Sequence, residues 1–181
     1  MSHLKAFSRR ALAKALGQLA AVAGGAVLTR PAAAAEAPAA ALTTIGIVVA
    51  DMQKSTRFYT EAFGFKALKP EPTRVTAKPG DPSANLVELD EGFDLSTQFI
   101  DAGGVQIELL AFVNPKPLGD GARGPIHRRG VNHLAIRVRD PKAIFEKVRQ
   151  AGGTVLDSKP TGGATFVIDP DGTRLEIVQM R

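Results

Sequence analysis

The chain has no cysteine among its 181 residues, which excludes disulfides and thiolate metal sites. It also lacks a phosphate-binding P-loop, a dinucleotide-type glycine fingerprint and a serine nucleophile elbow, so nothing points to nucleotide or acyl-enzyme chemistry. Acidic residues are missing from positions 1–35, where Lys5, Arg9, Arg10, Lys14 and Arg30 lie. Those five account for the whole formal charge of +5, because the remaining 18 Lys and Arg are matched by 18 Asp and Glu. A balanced body offers no phosphate-binding footprint, so nucleic acid is excluded as a partner. The apolar run Ala15–Leu28 is too short and too rich in Ala and Gly to predict a stable membrane span.

What is present begins with that leader. A basic segment ending at Lys14, a small-residue apolar segment and an Ala-rich stretch form an export-signal pattern over residues 1–35. Ala33 and Ala35 fit the positions that a signal peptidase reads, with Ala37 and Ala41 as alternatives. Ser8-Arg9-Arg10-Ala11-Leu12-Ala13-Lys14 resembles a twin-arginine signal, which implies periplasmic or secreted localisation. Glu36–Ala41 reads as a lead-in, and one folded domain is expected over 42–181.

That domain reads as a duplication. Thr44–Asp51 parallels His133–Asp140: each is an alternating strand closed by Asp, a good helix N-cap. Helical segments then run to Ala62 and Ala151, with Gly64 and Gly153 expected as left-handed C-caps. Short strands are expected at Phe65–Leu68 and Thr154–Leu156. The copies realign at Ile100–Leu109 and Ile168–Ile177, each reading strand, Gly-ended turn, strand, with Glu seven residues after Asp. Each copy therefore predicts β-α-β-β-β, over 42–113 and 130–181, joined by a Pro- and Gly-rich linker at 114–129. Pro70–Asp94 reads as an insertion, a loop with one extra strand at Asn85–Leu89.

Two such units with Ser55-Thr56-Arg57-Phe58-Tyr59, Gly64-Phe65, His133 and Asp169-Pro170-Asp171-Gly172-Thr173-Arg174-Leu175-Glu176 resemble the vicinal oxygen chelate superfamily. That group holds glyoxalase I, extradiol dioxygenases and the bleomycin and fosfomycin resistance proteins. The resemblance implies an α+β fold in which two tandem βαβββ units form facing curled mixed sheets around a central cavity. It implies metal ligands at the head of the first strand and in the last strand of each unit. Those positions are Thr44, Glu108, His133 and Glu176.

Strand parity agrees with that set: Glu108, His133 and Glu176 all project away from the helix-covered side. One imidazole and two carboxylates suit a divalent cation such as Zn²⁺, Ni²⁺, Mn²⁺, Fe²⁺ or Mg²⁺. Thr44 departs from the pattern, since glyoxalase I commonly has His there and a hydroxyl is a poor ligand. Glu108 and Glu176 are the candidate catalytic groups; the glyoxalase resemblance implies that each doubles as ligand and base for an enediolate-type lyase or isomerase reaction on a small oxygenated substrate. Thr44 and Arg137 are candidate substrate contacts. Arg123, His127, Arg128 and Arg129 form a basic linker near the cavity mouth. A metal-independent binding protein of bleomycin-resistance type is the competing reading, with a ring-cleaving dioxygenase behind it. The resemblance makes a homodimer the default assembly.

Overall fold

A computed structural model describes residues 40–119, 121, 124–156 and 164–180. The export-signal segment, the cleavage positions at Ala33, Ala35 and Ala37, and Arg123 lie outside the described residues. Among the described residues no helix is long and apolar enough to cross a membrane.

The first unit runs β1 (Thr44–Val48), α1 (Met52–Arg57) passing into a π-helical turn (Phe58–Ala62), β2 (Lys66–Ala67), β3 (Thr73–Ala77), α2 (Pro82–Leu86), β4 (Phe93–Asp101) and β5 (Gln106–Asn114). The second runs β6 (Leu134–Val138), α3 (Pro141–Gln150), β7 (Thr154–Val155), β8 (Ala164–Ile168) and β9 (Arg174–Gln179). The sheets have the orders β1-β5-β4-β2, with β3 also on β4, and β6-β9-β8-β7. In both, the first strand lies parallel to the last and the rest is antiparallel. The α+β duplication read from the sequence is therefore the observed architecture.

Local chemistry explains the elements. Asp51 accepts from Lys54 N at 2.9 Å and starts α1, while Asp140 caps α3 through Lys142 N and Ala143 N at 3.0 and 3.2 Å. Pro141 sits at the first helical position, where its missing N–H costs nothing. Gly64 ends the first helix at φ 72° as expected, but in the second unit the left-handed residue is Gly152 (φ 86°), one earlier than Gly153. Gly153 is needed for closeness instead: a Cβ there would lie 2.5 Å from Phe58 Cε2 and 2.7 Å from the Ile168 carbonyl.

The insertion differs from expectation. Its strand is Thr73–Ala77, paired with β4, and Pro82–Leu86 is helical, so Asn85–Leu89 is not a strand. Asp81-Pro82 supplies the start of that helix, which outweighs the strand reading of Asn85–Leu89. An Arg74–Asp94 pair ties β3 to the start of β4 at 2.6 and 2.9 Å, and holds the Asp94 carboxyl below its usual range.

One core joins the two units. Ile47, Ile107 and Leu109 from the first sheet share it with Leu175, Ile177 and Val167 from the second, and Phe58, Tyr59 and Val148 from the helices. Full burial of each large side chain contributes about 1.5–3 kcal/mol, so this shared face dominates stability. Polar bonds register the docking: Tyr59 OH donates to Asp169 Oδ2, Ser55 Oγ to Asp171 Oδ2 (both 2.8 Å) and Ala50 N to Asp171 Oδ1 (2.9 Å). Burial beside Asp169 pushes the Tyr59 hydroxyl well above its ordinary pKa, and burial raises Asp169 too.

Candidate metal centre

The core uses the odd-numbered residues of β1 and β5 and leaves Thr44, Gly46, Val48, Glu108 and Leu110 on the opposite face. The second unit repeats this, leaving His133, Ala135, Arg137, Glu176 and Val178 on its free face. Register makes the two acid sites equivalent. Glu108 lies between Gly46 and Phe99, and Glu176 lies between Ala135 and Phe166. Each carboxylate thus has a small residue on the first strand and an aromatic ring on the third.

His133 Nε2 lies 3.2 Å from Glu176 Oε2, with the side chains 36% and 27% exposed. The Phe166 ring stands edge-on to the imidazole, centroids 5.5 Å apart. Glu108 is elsewhere: its Oε1 accepts from Thr97 Oγ at 3.0 Å. No group of three His, Asp or Glu that could hold a metal occurs among the described residues. The expected meeting of Glu108, His133 and Glu176 at one point is not made within the described chain. The physical reason is that the helix-side faces of both sheets are joined in the shared core, which leaves each acid on its own free face. Thr44 stands at the head of β1 opposite Gln106, and Arg137 is exposed beside Val178.

A cleft of about 510 Å³ lies at the seam of the units. Its walls are Ile45–Val48, the linker at Gly121, Gly124 and Arg128–Asn132, then His133 and the turn Asp171–Arg174. Arg174 is nearly buried and ties the linker down, its guanidinium donating to the Asn132 and Gly124 carbonyls at 3.3 and 3.0 Å. Arg128, Arg129 and Arg174 line this cleft with His133; His127 does not. The insertion roofs part of the first unit's free face. Ala84 of α2 packs over Phe93 and Leu95 with Leu110 and Phe112, so the wall beside Glu108 is apolar.

Sequence reasoning missed Phe99, Phe166 and Asn132. Equal Asp-to-Glu spacing suggests equal hairpins, but Asp169 N bonds the Thr173 carbonyl, whereas Asp101 pairs with Gln106. The first hairpin closes between Ala102 and Val105 over two residues and the second between Asp169 and Thr173 over three, and this one-residue change of register brings Phe166 rather than Val167 opposite Glu176.

The sequence pattern of the Glyoxalase/Bleomycin resistance protein/Dioxygenase superfamily matches residues 41–177. The chain belongs to this superfamily. Among solved structures, a glyoxalase family protein from Bacillus cereus superposes with TM-score 0.62 at 15% identity, covering 80% of this chain and 97% of that one. The trypanothione-dependent glyoxalase I of Leishmania major gives TM-score 0.53 at 22% identity, covering 77% and 86%. At these identities the likeness to solved structures shows the glyoxalase fold alone. By sequence, lactoylglutathione lyase from Escherichia coli O157:H7 is 27% identical over 136 residues, 72% of this chain and 86% of the enzyme. A lactoylglutathione lyase of Arabidopsis thaliana is 29% identical over 143 residues, and the chain spans 41% of the length of that relative.

Proposed function

We propose that this superfamily member is a divalent-metal-dependent lyase or isomerase acting on a small oxygenated substrate, exported by its basic leader. The observation that carries the reading is the His133–Glu176 pair, an imidazole nitrogen and a carboxylate oxygen 3.2 Å apart on the free face of a strand pair. The donor set fits: nitrogen plus oxygen suits Zn²⁺ and its neighbours, and the half-exposed setting leaves positions for water or substrate. A bound divalent cation would supply Lewis-acid stabilisation of negative charge on substrate oxygen, which would acidify an adjacent C–H.

The chain's own residues do the rest. His133 and Glu176 would hold the cation. Phe166 stands edge-on to the ring. Arg128 and Arg129, on the cleft wall beside His133, hold an anionic group of the substrate by charge-assisted bonds. Glu108 takes the proton as general base, with Thr97 orienting its carboxylate. A homodimer that sets the Glu108 face of one copy against the His133 face of the other supplies the third group.

Elemental analysis and Zn²⁺ titration of the purified mature protein test the reading. Bound metal is expected in the wild type and is lost on His133→Ala or Glu176→Ala. A protein indifferent to chelator, whose melting point still rises with small-molecule ligands, is instead the binding protein on the same fold. The lack of a three-ligand group within the described residues is the observation that favours that second reading. For the dimer, Glu108→Ala and Glu176→Ala copies are each inactive alone and regain part of the activity when mixed.

A further inference from the structure

We infer that Asn132 is a positioning residue that sets the tautomer of His133, a role that rests on reading His133 as a ligand. Asn132 Nδ2 donates to the Ile126 carbonyl at 2.5 Å. A carbonyl only accepts, so the NH₂ end of the amide occupies that side and Oδ1 turns the other way. Oδ1 stands 3.2 Å from His133 Nδ1. An amide oxygen also only accepts, so Nδ1 carries a hydrogen. In the neutral ring the lone pair is then on Nε2, the atom facing Glu176 Oε2 at 3.2 Å.

Two acceptors facing each other at that distance repel unless positive charge lies between them. A proton or a metal cation supplies it. The other tautomer behaves oppositely: an Nε2–H would bond Glu176 directly and close both donors to a cation. Asn132 biases the ring against that closed state by accepting from Nδ1. Arg174 anchors Asn132 in turn by donating to its backbone carbonyl at 3.3 Å. The arrangement gives a ligand histidine an outer partner that fixes its ring, a contact whose loss costs about 10–100-fold in metal affinity where it has been removed elsewhere.

Nitrogen-15 NMR of the metal-free protein, followed across pH, reads the tautomer; Zn²⁺ calorimetry reads the affinity; circular dichroism checks the fold. Wild type is expected to show Nδ1–H. Asn132→Leu, close in size but without an acceptor, shifts the ring to Nε2–H and weakens Zn²⁺ by roughly 10–100-fold. Asn132→Asp keeps an acceptor toward Nδ1 and retains the wild-type tautomer. An Nε2–H ring in the wild type overturns the inference, as does Asn132→Leu with both readouts unchanged. If the tautomer shifts as expected while neither protein binds Zn²⁺, the positioning role stands and the metal-dependent reading falls.

Discussion

Asp169→Ala is expected to destabilise the fold by about 3–4 kcal/mol, since each buried donor left without a partner costs about 1–3 kcal/mol. Asp169 is 4% exposed and accepts three bonds. Tyr59 OH reaches it at 2.8 Å, Asp171 N at 3.0 Å and Thr173 N at 2.7 Å. Its raised pKa means that the ionised carboxylate is itself a cost at neutral pH, which these donors offset. Truncation to Ala leaves the buried Tyr59 hydroxyl unpaired and strips two part-buried turn N–H groups of their acceptor, a large part of a typical total of about 5–15 kcal/mol. The melting temperature should fall by roughly 10–15 °C. Asp169→Asn retains one acceptor and loses less.

Tyr59 gives the same latch a pH dependence. Its folded pKa is raised from 10.0, so the folded state holds the phenol proton more tightly than the unfolded chain does. That stabilisation is complete below pH 10 and is lost as pH rises above it. Thermal scans between pH 8 and 11 should show wild type weakening above pH 10. Tyr59→Phe, less stable at neutral pH, should show a flatter alkaline limb. Equal slopes would mean that Tyr59 is not the titrating group.

Gly153→Val is the second large effect. The added Cβ would sit 2.5 Å from Phe58 Cε2, 2.7 Å from the Ile168 carbonyl and 3.0 Å from Val148 Cγ1. Phe58 is fully buried and the carbonyl belongs to β8, so neither yields cheaply. Overpacking of this kind costs about 1–3 kcal/mol for one methyl, and the branched side chain exceeds that. Gly152→Ala is the control. It meets only Lys54 Cε at 3.6 Å, and its cost is the left-handed backbone at φ 86°, about 1–2 kcal/mol. If calorimetry shows Gly152→Ala as the worse of the two, the helix-to-sheet approach at Gly153 is not what holds the units together.

Particular residues show how much could be read ahead. Asp51 and Asp140 announce helix starts because their carboxylates bond N–H groups two or three residues away, a purely local event. His133 and Glu176 were legible as sharing a face because strand alternation is local, and the parallel pairing of β6 with β9 brings them together. The position of Gly153 against Phe58 was not legible, because its partner lies in the other unit. Asn132 was missed for a similar reason. Its meaning comes from a carbonyl at Ile126 and a guanidinium at Arg174, neither of which leaves a periodic trace.

The amino-acid sequence by itself determined the duplication, the strand–helix order of each unit and the face on which Glu108, His133 and Glu176 lie. These follow from alternation, capping and turn chemistry, which act over a few residues. Only the tertiary structure decided that the helix sides of both sheets merge in one core, so that Glu108 stays apart from the His133–Glu176 pair. Periodicity states which side of a strand is apolar; which partner covers that side depends on long-range packing of buried surfaces, and no short stretch of chain encodes it.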